Sequence, residues 1–437
     1  MPRALLRRLS ATLALAALAA PVVRPAALAA QDTTRTPDGV IIRGQYQPGS
    51  RPGLVVLAAP GTDSVRAIVQ RDLDYSDRFE AVSTAERPSS GRLNYDLYKR
   101  LGAAYALELY PAVGGIAMKL HDVARGTVRG QQTVPLPPPT SPEYRMALHR
   151  LSDEVTRQAT GQPGYAASRL LYLGTDGRIY RIDSDGHGNA PVTPAGARAF
   201  SPAWSPDGRR VAYTRFDGGR GAIVVQPLDG GAPATVPGTT TGLNFGAAFA
   251  PDGRTVAYSR ASDDGTTHVF KANVADQCCV QRLTVGQFAD NLTPTYSPDG
   301  QRIGFVSTRG GGPQLYVMAA DGTDQEVLAP FDFGETGPSN APDWSPDGRS
   351  VVFHRDVSRA SQVFTFDVAR QRVQQLTSGG RNTDPAWAPD SRHVVFVSDR
   401  SGRRQLWVID LESGRVRQLA TPGAVRLPAW SRRLGGN

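Results

Sequence analysis

Pro202-Ala203-Trp204-Ser205-Pro206-Asp207-Gly208-Arg209 returns along the chain in close copies. They stand at Ala248-Phe249-Ala250-Pro251-Asp252-Gly253-Arg254, Pro294-Thr295-Tyr296-Ser297-Pro298-Asp299-Gly300, Pro342-Asp343-Trp344-Ser345-Pro346-Asp347-Gly348-Arg349 and Pro385-Ala386-Trp387-Ala388-Pro389-Asp390-Ser391, and a truncated copy, Pro428-Ala429-Trp430-Ser431, ends the chain. The aspartates 207, 252, 299, 347 and 390 are 45, 47, 48 and 43 residues apart, a period that belongs to repeat architectures. Each part of the motif has a job in a β-rich unit. The aromatic residue closes a short strand and offers an apolar face for packing between units. The following proline marks the strand end, and Asp-Gly supplies the positive dihedral angles of a tight turn. Alternating stretches such as Val211 to Thr214 and Val394 to Val397 read as half-buried strands.

Each unit therefore reads as four short strands, one propeller blade. The sixth unit is split. Arg169-Leu170-Leu171-Tyr172-Leu173, Arg178 to Ile182 and Ala190 to Thr193 look like outer strands without an inner one, and Leu427-Pro428-Ala429-Trp430 looks like an inner strand without outer ones. Joining them closes a six-bladed ring with no open edge at the seam. The expected fold is a small N-terminal α/β domain followed by an all-β six-bladed β-propeller closed by the C-terminal strand.

A chain of 437 residues is long enough for two domains. Residues 1–30 read as a cleaved secretory signal: Arg3, Arg7 and Arg8 precede an apolar run from Leu9 to Ala20, and small residues surround Ala27 to Ala30. Residues 31–135 read as the α/β domain, with strands at Val40 to Ile42, Leu54 to Leu57 and Glu80 to Ser83. A helix is expected after Thr62 or Asp63 with Val65, Ile68, Val69 and Leu73 on one face, a second after Asn94, and a hairpin over Ala104 to Val123. Residues 136–167 read as a proline-rich linker and connecting helix with a Tyr144, Leu148, Leu151, Val155 stripe, and 168–437 as the propeller.

The formal charge of +9 includes Arg3, Arg7, Arg8 and Arg24, which leave with the signal, and the remaining basic residues are scattered through every repeat. A nucleic-acid surface would cluster them, so no nucleic-acid partner is expected. No later apolar run approaches spanning length, and no membrane insertion is expected. Cys278-Cys279 can form a vicinal disulfide in an oxidising compartment, and two neighbouring thiols are too few for structural zinc. No Gly-x-Ser-x-Gly elbow is present, and His121, His149, His187, His268, His354 and His393 have no ligand spacing. The repeated aspartates sit in turns, where backbone hydrogen bonds are their expected role. Asp183-Ser184-Asp185-Gly186 is only part of a calcium loop. No catalytic residue, metal or cofactor is expected.

The signal, the small α/β domain, Leu151-Ser152-Asp153-Glu154-Val155 leading through Thr160-Gly161 into Arg169 to Leu173, Asp183-Ser184-Asp185-Gly186, the repeated Pro-x-Trp-Ser-Pro-Asp-Gly and the terminal Pro428-Ala429-Trp430-Ser431 occur in an order that resembles the TolB family of periplasmic Tol-Pal components. Pro137 to Pro139, Cys278-Cys279 and Ser391 in place of the turn glycine depart from its pattern. The resemblance implies a periplasmic, monomeric, non-enzymatic adaptor that binds the lipoprotein Pal and the protein TolA, supporting outer-membrane constriction at division and envelope integrity. It places Pal on a rim built from loops entering the inner strands. The residues standing there are Phe200, Ser201, Asn244, Phe245, Asn291, Thr293, Ser339, Asn340, Thr383, Asp384 and Arg426. It places TolA on a segment of about Gln31 to Arg43, here Asp32, Thr33, Thr34, Arg35, Val40, Ile41, Ile42 and Arg43, whose polar start suits disorder when free. The rival reading is an exported propeller enzyme or carbohydrate binder, which would gather carboxylates or histidines at one mouth of the channel.

Overall fold

The structure is a computed structural model that describes residues 51–84, 93–263, 265–286, 288–330 and 337–435. The expected signal and the segment Gln31 to Arg43 lie outside the described residues. The first domain runs β1 (Gly53–Ala58), α1 (Asp63–Tyr75), β2 (Glu80–Ala81), α2 (Tyr95–Arg100), β3 (Ala103–Ala112), β4 (Gly115–Asp122), β5 (Thr127–Pro135) and α3 (Glu143–Thr160). Its sheet has the order β2-β1-β3-β4-β5, with β1 parallel to β2 and β3 and an antiparallel meander beyond. Every residue of β1 is buried, as a strand covered on both faces requires.

On one face, Val65, Ile68, Val69 and Leu73 of α1 and Leu148, Leu151, Val155 and Ala159 of α3 share a core with Leu54, Leu107, Met118 and Leu120. On the other face, Tyr98 of α2 packs on Val55, Leu57 and Ala106. The stretch read as a connecting helix is thus a layer of the first domain, ended by Gly161 at φ 75°. Asn94 caps α2 by accepting from Leu97 N at 3.1 Å, whereas Thr62 gives α1 no side-chain cap and donates instead to Ala59 O at 2.7 Å.

The second domain is six four-stranded antiparallel sheets in a closed ring. We number the blades by their inner strands: Ala199–Trp204, Asn244–Phe249, Asn291–Tyr296, Ser339–Trp344, Asn382–Trp387 and Val425–Trp430. The sixth inner strand pairs antiparallel with Arg169–Gly174 from the start of the propeller, Trp430 opposite Leu170 and Arg426 opposite Leu173. Trp430 Nε1 donates to Ser168 Oγ at 2.8 Å, and Arg169 N donates to Ser431 Oγ at 2.9 Å. The tryptophans pack between blades: Trp204 sits with Val211 of its own blade and Leu171 and Ile179 of the sixth, its indole donating to Ala429 O at 3.2 Å. In the turns that follow, Asp207, Asp252, Asp299, Asp347 and Asp390 each accept a backbone N–H two residues on. Gly208, Gly253, Gly300 and Gly348 are left-handed there, and Ser391 takes the same conformation at φ 56° while its hydroxyl accepts from Asp347 N at 3.1 Å.

The turns after the inner strands, and those between third and fourth strands, share one end of the ring because successive strands are antiparallel. The first domain is seated on that end through charge. His393, fully buried, lies 2.8 Å from Asp390, 3.3 Å from Asp77 of the loop after α1 and 4.0 Å from Asp410. Arg392 pairs with Asp410 and donates to Asp77 O at 3.0 Å, and Arg415 bridges Asp74 and Asp77 at 3.1 Å. A second joint puts His149 of α3 2.8 Å from Asp72 of α1, near Asp185 of the sixth blade, which pairs with Arg145 and, at 3.4 Å, with Arg71.

Burial opposes charge on His393, but Asp390, with Asp77 and Asp410 behind it, wins and holds its pKa up to about 9. His149 is also raised, burial again being outweighed by Asp72. The unfolded value lies near 6.5, so what His393 adds to stability is complete below about pH 6.5 and is lost as pH rises through about 9. The melting temperature should therefore fall from pH 7 to 9.5, and His393→Asn should flatten that slope; a wild-type melting temperature level to pH 9.5 refutes the charged joint.

Candidate protein-binding surface

The inner strands begin at the end of the ring opposite the first domain, and all six follow one plan. The first residue is buried, the next two face the mouth, and the fourth is buried again. The third is left-handed in every blade: Ser201 at φ 47°, Gly246 at 65°, Thr293 at 47°, Ala341 at 51°, Asp384 at 51° and Leu427 at 49°. Pairing with the second strand shifts register across it each time, which is a β-bulge. Proline follows in five blades, Pro202, Pro294, Pro342, Pro385 and Pro428, at the strand edge facing the axis, where no ladder donor is needed. The bulge amides find partners on the preceding blade, Thr293 N on Ser259 Oγ at 3.0 Å and Asp384 N on His354 Nδ1 at 3.2 Å.

Of the residues expected on the rim, Phe200, Ser201, Phe245, Thr293, Asn340, Thr383 and Asp384 are half-exposed at the mouth and Arg426 is exposed. Asn244, Asn291 and Ser339 are different and must be corrected. They occupy the buried first position, at 0%, 1% and 1% exposure, with their side chains spent inside the blades. Asn244 Nδ2 donates to Gly221 O at 2.8 Å and Thr241 O at 2.9 Å. Asn291 donates to Ala289 O at 3.2 Å and accepts from Arg309 at 3.0 Å, and Ser339 Oγ accepts from Arg355 Nε at 2.9 Å. These side chains hold the rim in shape from within the blades.

The arginines that meet them form a device not foreseen from sequence. Arg309 lies over Phe305 and Tyr316, Arg355 over Phe353 and Phe364, and Arg400 over Phe396 and Trp407, at 4.8 to 5.5 Å from the ring centres. Each pins the first residue of its own inner strand, Arg400 doing so at Asn382 Oδ1 at 2.9 Å. The cation and aromatic pair attract through the ring quadrupole. Also missed were Leu243, Val285 and Phe288, exposed by 38%, 74% and 92% in loops that lead into the second and third inner strands. Apolar residues in otherwise polar loops were the available signal.

The axis holds a channel of about 280 Å³. Its wall repeats small residues, prolines and the terminal aromatics, and the charged groups on it are Asp343, Asp384 and Arg432. Asp343 stands where the other inner strands have Ala or Thr, and Arg432 where five blades have the turn proline. Burial pushes the Asp343 carboxyl up to about 6 despite the Trp387 N–H that it accepts at 2.7 Å and the nearby Arg432. Among the described residues, the places where three groups of metal-ligating type converge are Asp72, His149 and Asp185, and Asp77, His393 and Asp410. Both lie in the joints between the domains, away from the channel.

Fold and rim together define a closed six-bladed propeller with an α/β domain on one end and a mixed polar and aromatic rim on the other. The chain belongs to the TolB β-propeller family: the family model described as "TolB beta propeller domain" matches residues 156–332 and 332–434, more than half of the chain. It is 33% identical over 182 residues to the Tol-Pal system protein TolB of Methylococcus capsulatus, covering 38% of this chain and 42% of that one. It is 34% identical over 188 residues to the protein of the same name from Bordetella pertussis, covering 42% of each. The chain thus matches less than half of the length of these curated relatives. The crystal structure of TolB from Acinetobacter baumannii superposes with a TM-score of 0.76 over 89% of this chain and 98% of that one, at 24% identity, which shows the shared fold.

The buried role of Asn291 gives a measurable consequence. Asn291→Ala leaves the Arg309 guanidinium without one of its acceptors and should destabilise the protein by about 1 to 3 kcal/mol, read by urea denaturation. Phe288→Ser, at an exposed loop position, should stay within about 0.5 kcal/mol; equal effects would remove the distinction between rim framework and rim surface.

Proposed function

We propose that this protein is a non-enzymatic periplasmic adaptor of the Tol-Pal system. Its propeller rim binds the lipoprotein Pal, and its N-terminal segment, Gln31 to Arg43, engages TolA, which together support outer-membrane invagination during division and envelope integrity. The observation that carries this reading is the open rim at the end of the ring away from the first domain. The first domain occupies one end of the ring through the pairing of Asp77 with His393 and of Arg71 and Arg145 with Asp185, which leaves the mouth at the other end open to a second protein. The rim supports it chemically: Phe200 and Phe245 are aromatic anchors, while Thr383, Asn340, Asp384 and Arg426 offer hydrogen bonds and charge, the composition of a protein interface more than of a small-molecule pocket. Family membership supplies the identity of the system, since the named relatives are Tol-Pal system proteins.

A double variant, Thr383→Arg with Arg426→Glu, tests the rim. Capture of purified Pal should fall at least tenfold, with the melting temperature unchanged because both positions are at the surface. Undiminished capture overturns the assignment of this face. Deleting residues 31–43 should abolish binding to TolA and leave Pal capture intact; loss of both together would refute the division of labour between the two ends.

A further inference from the structure

The fourth strand of the second blade, Cys278–Arg282, is the longest outermost strand among the six blades and lies almost wholly exposed. It opens with a disulfide between adjacent residues, Cys278 and Cys279. A disulfide stabilises a fold chiefly by closing a loop in the unfolded chain, and this one, at a sequence separation of 1, closes none. Nor does it join two elements, since both cysteines belong to the same edge strand. The turn that precedes it is held without it. Asn273 Oδ1 accepts from Ala275 N at 3.0 Å and Asp276 N at 2.8 Å, and Arg254 forks onto both oxygens of Asp276 at 2.9 and 3.0 Å.

The local backbone is shaped around the bond. Cys279 is left-handed at φ 64°, a conformation that costs a residue with a Cβ about 1 kcal/mol or more. Pairing with the third strand shifts register at this place, Asn273 facing Cys278 but Lys271 facing Gln281, so Cys279 lies in a bulge. Cys278 is half-buried and Cys279 exposed. An accessible disulfide that closes no loop and joins no two elements is open to attack by thiolates.

We propose that Cys278–Cys279 is a thiol–disulfide exchange site for small thiols and dithiol reductants, and that opening it frees the bulged outer edge of the second blade. A thiolate attacks Cys279 Sγ; the S–S bond breaks, and Cys278 Sγ leaves as a thiolate that takes a proton from solvent. A second thiolate then attacks the external sulfur of the mixed disulfide and releases Cys279 as a thiol after it too gains a proton. Two external thiols become one disulfide, and the protein gains two electrons and two protons. With the ring open, Cys279 can leave its left-handed conformation, and the pairing from Cys278 to Arg282 loosens. That strand runs on into the loop carrying Val285 and Phe288, so the change reaches a flank of the rim. The turn at Asn273 to Asp276 stays.

The test uses the folded mature chain. Before reduction it should show no titratable thiol; after dithiothreitol without denaturant, followed by desalting, it should show both. Hydrogen exchange at 278–282 should then quicken at least tenfold with the rest of the propeller unchanged, and the double variant Cys278→Ser with Cys279→Ser should reproduce that pattern without reductant. With excess oxidised glutathione, the reduced protein should acquire a mixed disulfide at Cys279 or re-form its own. Free thiols in the untreated protein, thiols that appear only after unfolding, unchanged exchange at 278–282, or faster exchange throughout the propeller would each overturn the proposal.

Discussion

The pairing of Val425–Trp430 with Arg169–Gly174 is the contact on which the rest of the molecule depends. A propeller blade packs mainly on its neighbours, so an open array would leave an apolar face at each end. Closing the ring gives every blade two neighbours and leaves no terminal blade to cap. The same seam ties in the first domain. Asp153 of α3 accepts from Ala166 N and Ala167 N at 2.8 and 3.0 Å, just before the first propeller strand. Tyr165 donates to Tyr75 O at 2.6 Å while its ring meets Trp430 at 5.4 Å and His393 at 4.5 Å. Helix, seam and charged joint therefore form one connected body of contacts.

Six near-equivalent blades would make a rim with no preferred direction, yet this rim has one. Phe200 and Phe245 stand at the mouth of the first and second blades, and Val285 and Phe288 on the approach to the third. Asp384 and Arg426 belong to the fifth and sixth. The backbone plan tolerates this asymmetry because the bulge, not the side chain, sets the geometry: Gly, Ser, Thr, Ala, Asp and Leu all occupy the left-handed position. A partner with one apolar and one charged side would meet such a mouth in one rotational setting. Electrostatic complementarity acts mainly on orientation and on the rate of encounter.

The blade pattern was legible because its signals are local. Asp-Gly turns, alternating strands and a recurrent aromatic residue need no knowledge of distant contacts, and the orphan Trp430 strand pointed to the seam by elimination. The buried role of Asn244, Asn291 and Ser339 was not legible, since strand alternation is broken by the bulge and the residue two before the left-handed one turns inward. The arginine pillars were also hidden. Arg309 and Arg400 follow their second strands by two residues, but whether they reach solvent or fold back on an aromatic pair depends on the third strand's register. The histidine joints were less legible still. His149 has no local partner spacing and His393 has only Asp390, three residues before it; their role in the joint comes from aspartates 77 and 316 residues away in sequence.

Those joints are an unusual choice of adhesive. Burying His393 with Asp77, Asp390 and Asp410 carries a desolvation cost that the mutual attraction only partly exceeds, so an apolar interface of the same area could bind as firmly. What an apolar interface lacks is intolerance of sliding. A shift of a few ångströms between the two domains would separate Arg415 from Asp74 and Asp77, and Asp185 from His149, Arg145 and Arg71, and each buried charge left uncompensated costs about 3 to 5 kcal/mol. The charged seat therefore admits essentially one orientation of the first domain on the ring. That fixed orientation keeps the first domain at one end of the molecule and the rim at the other.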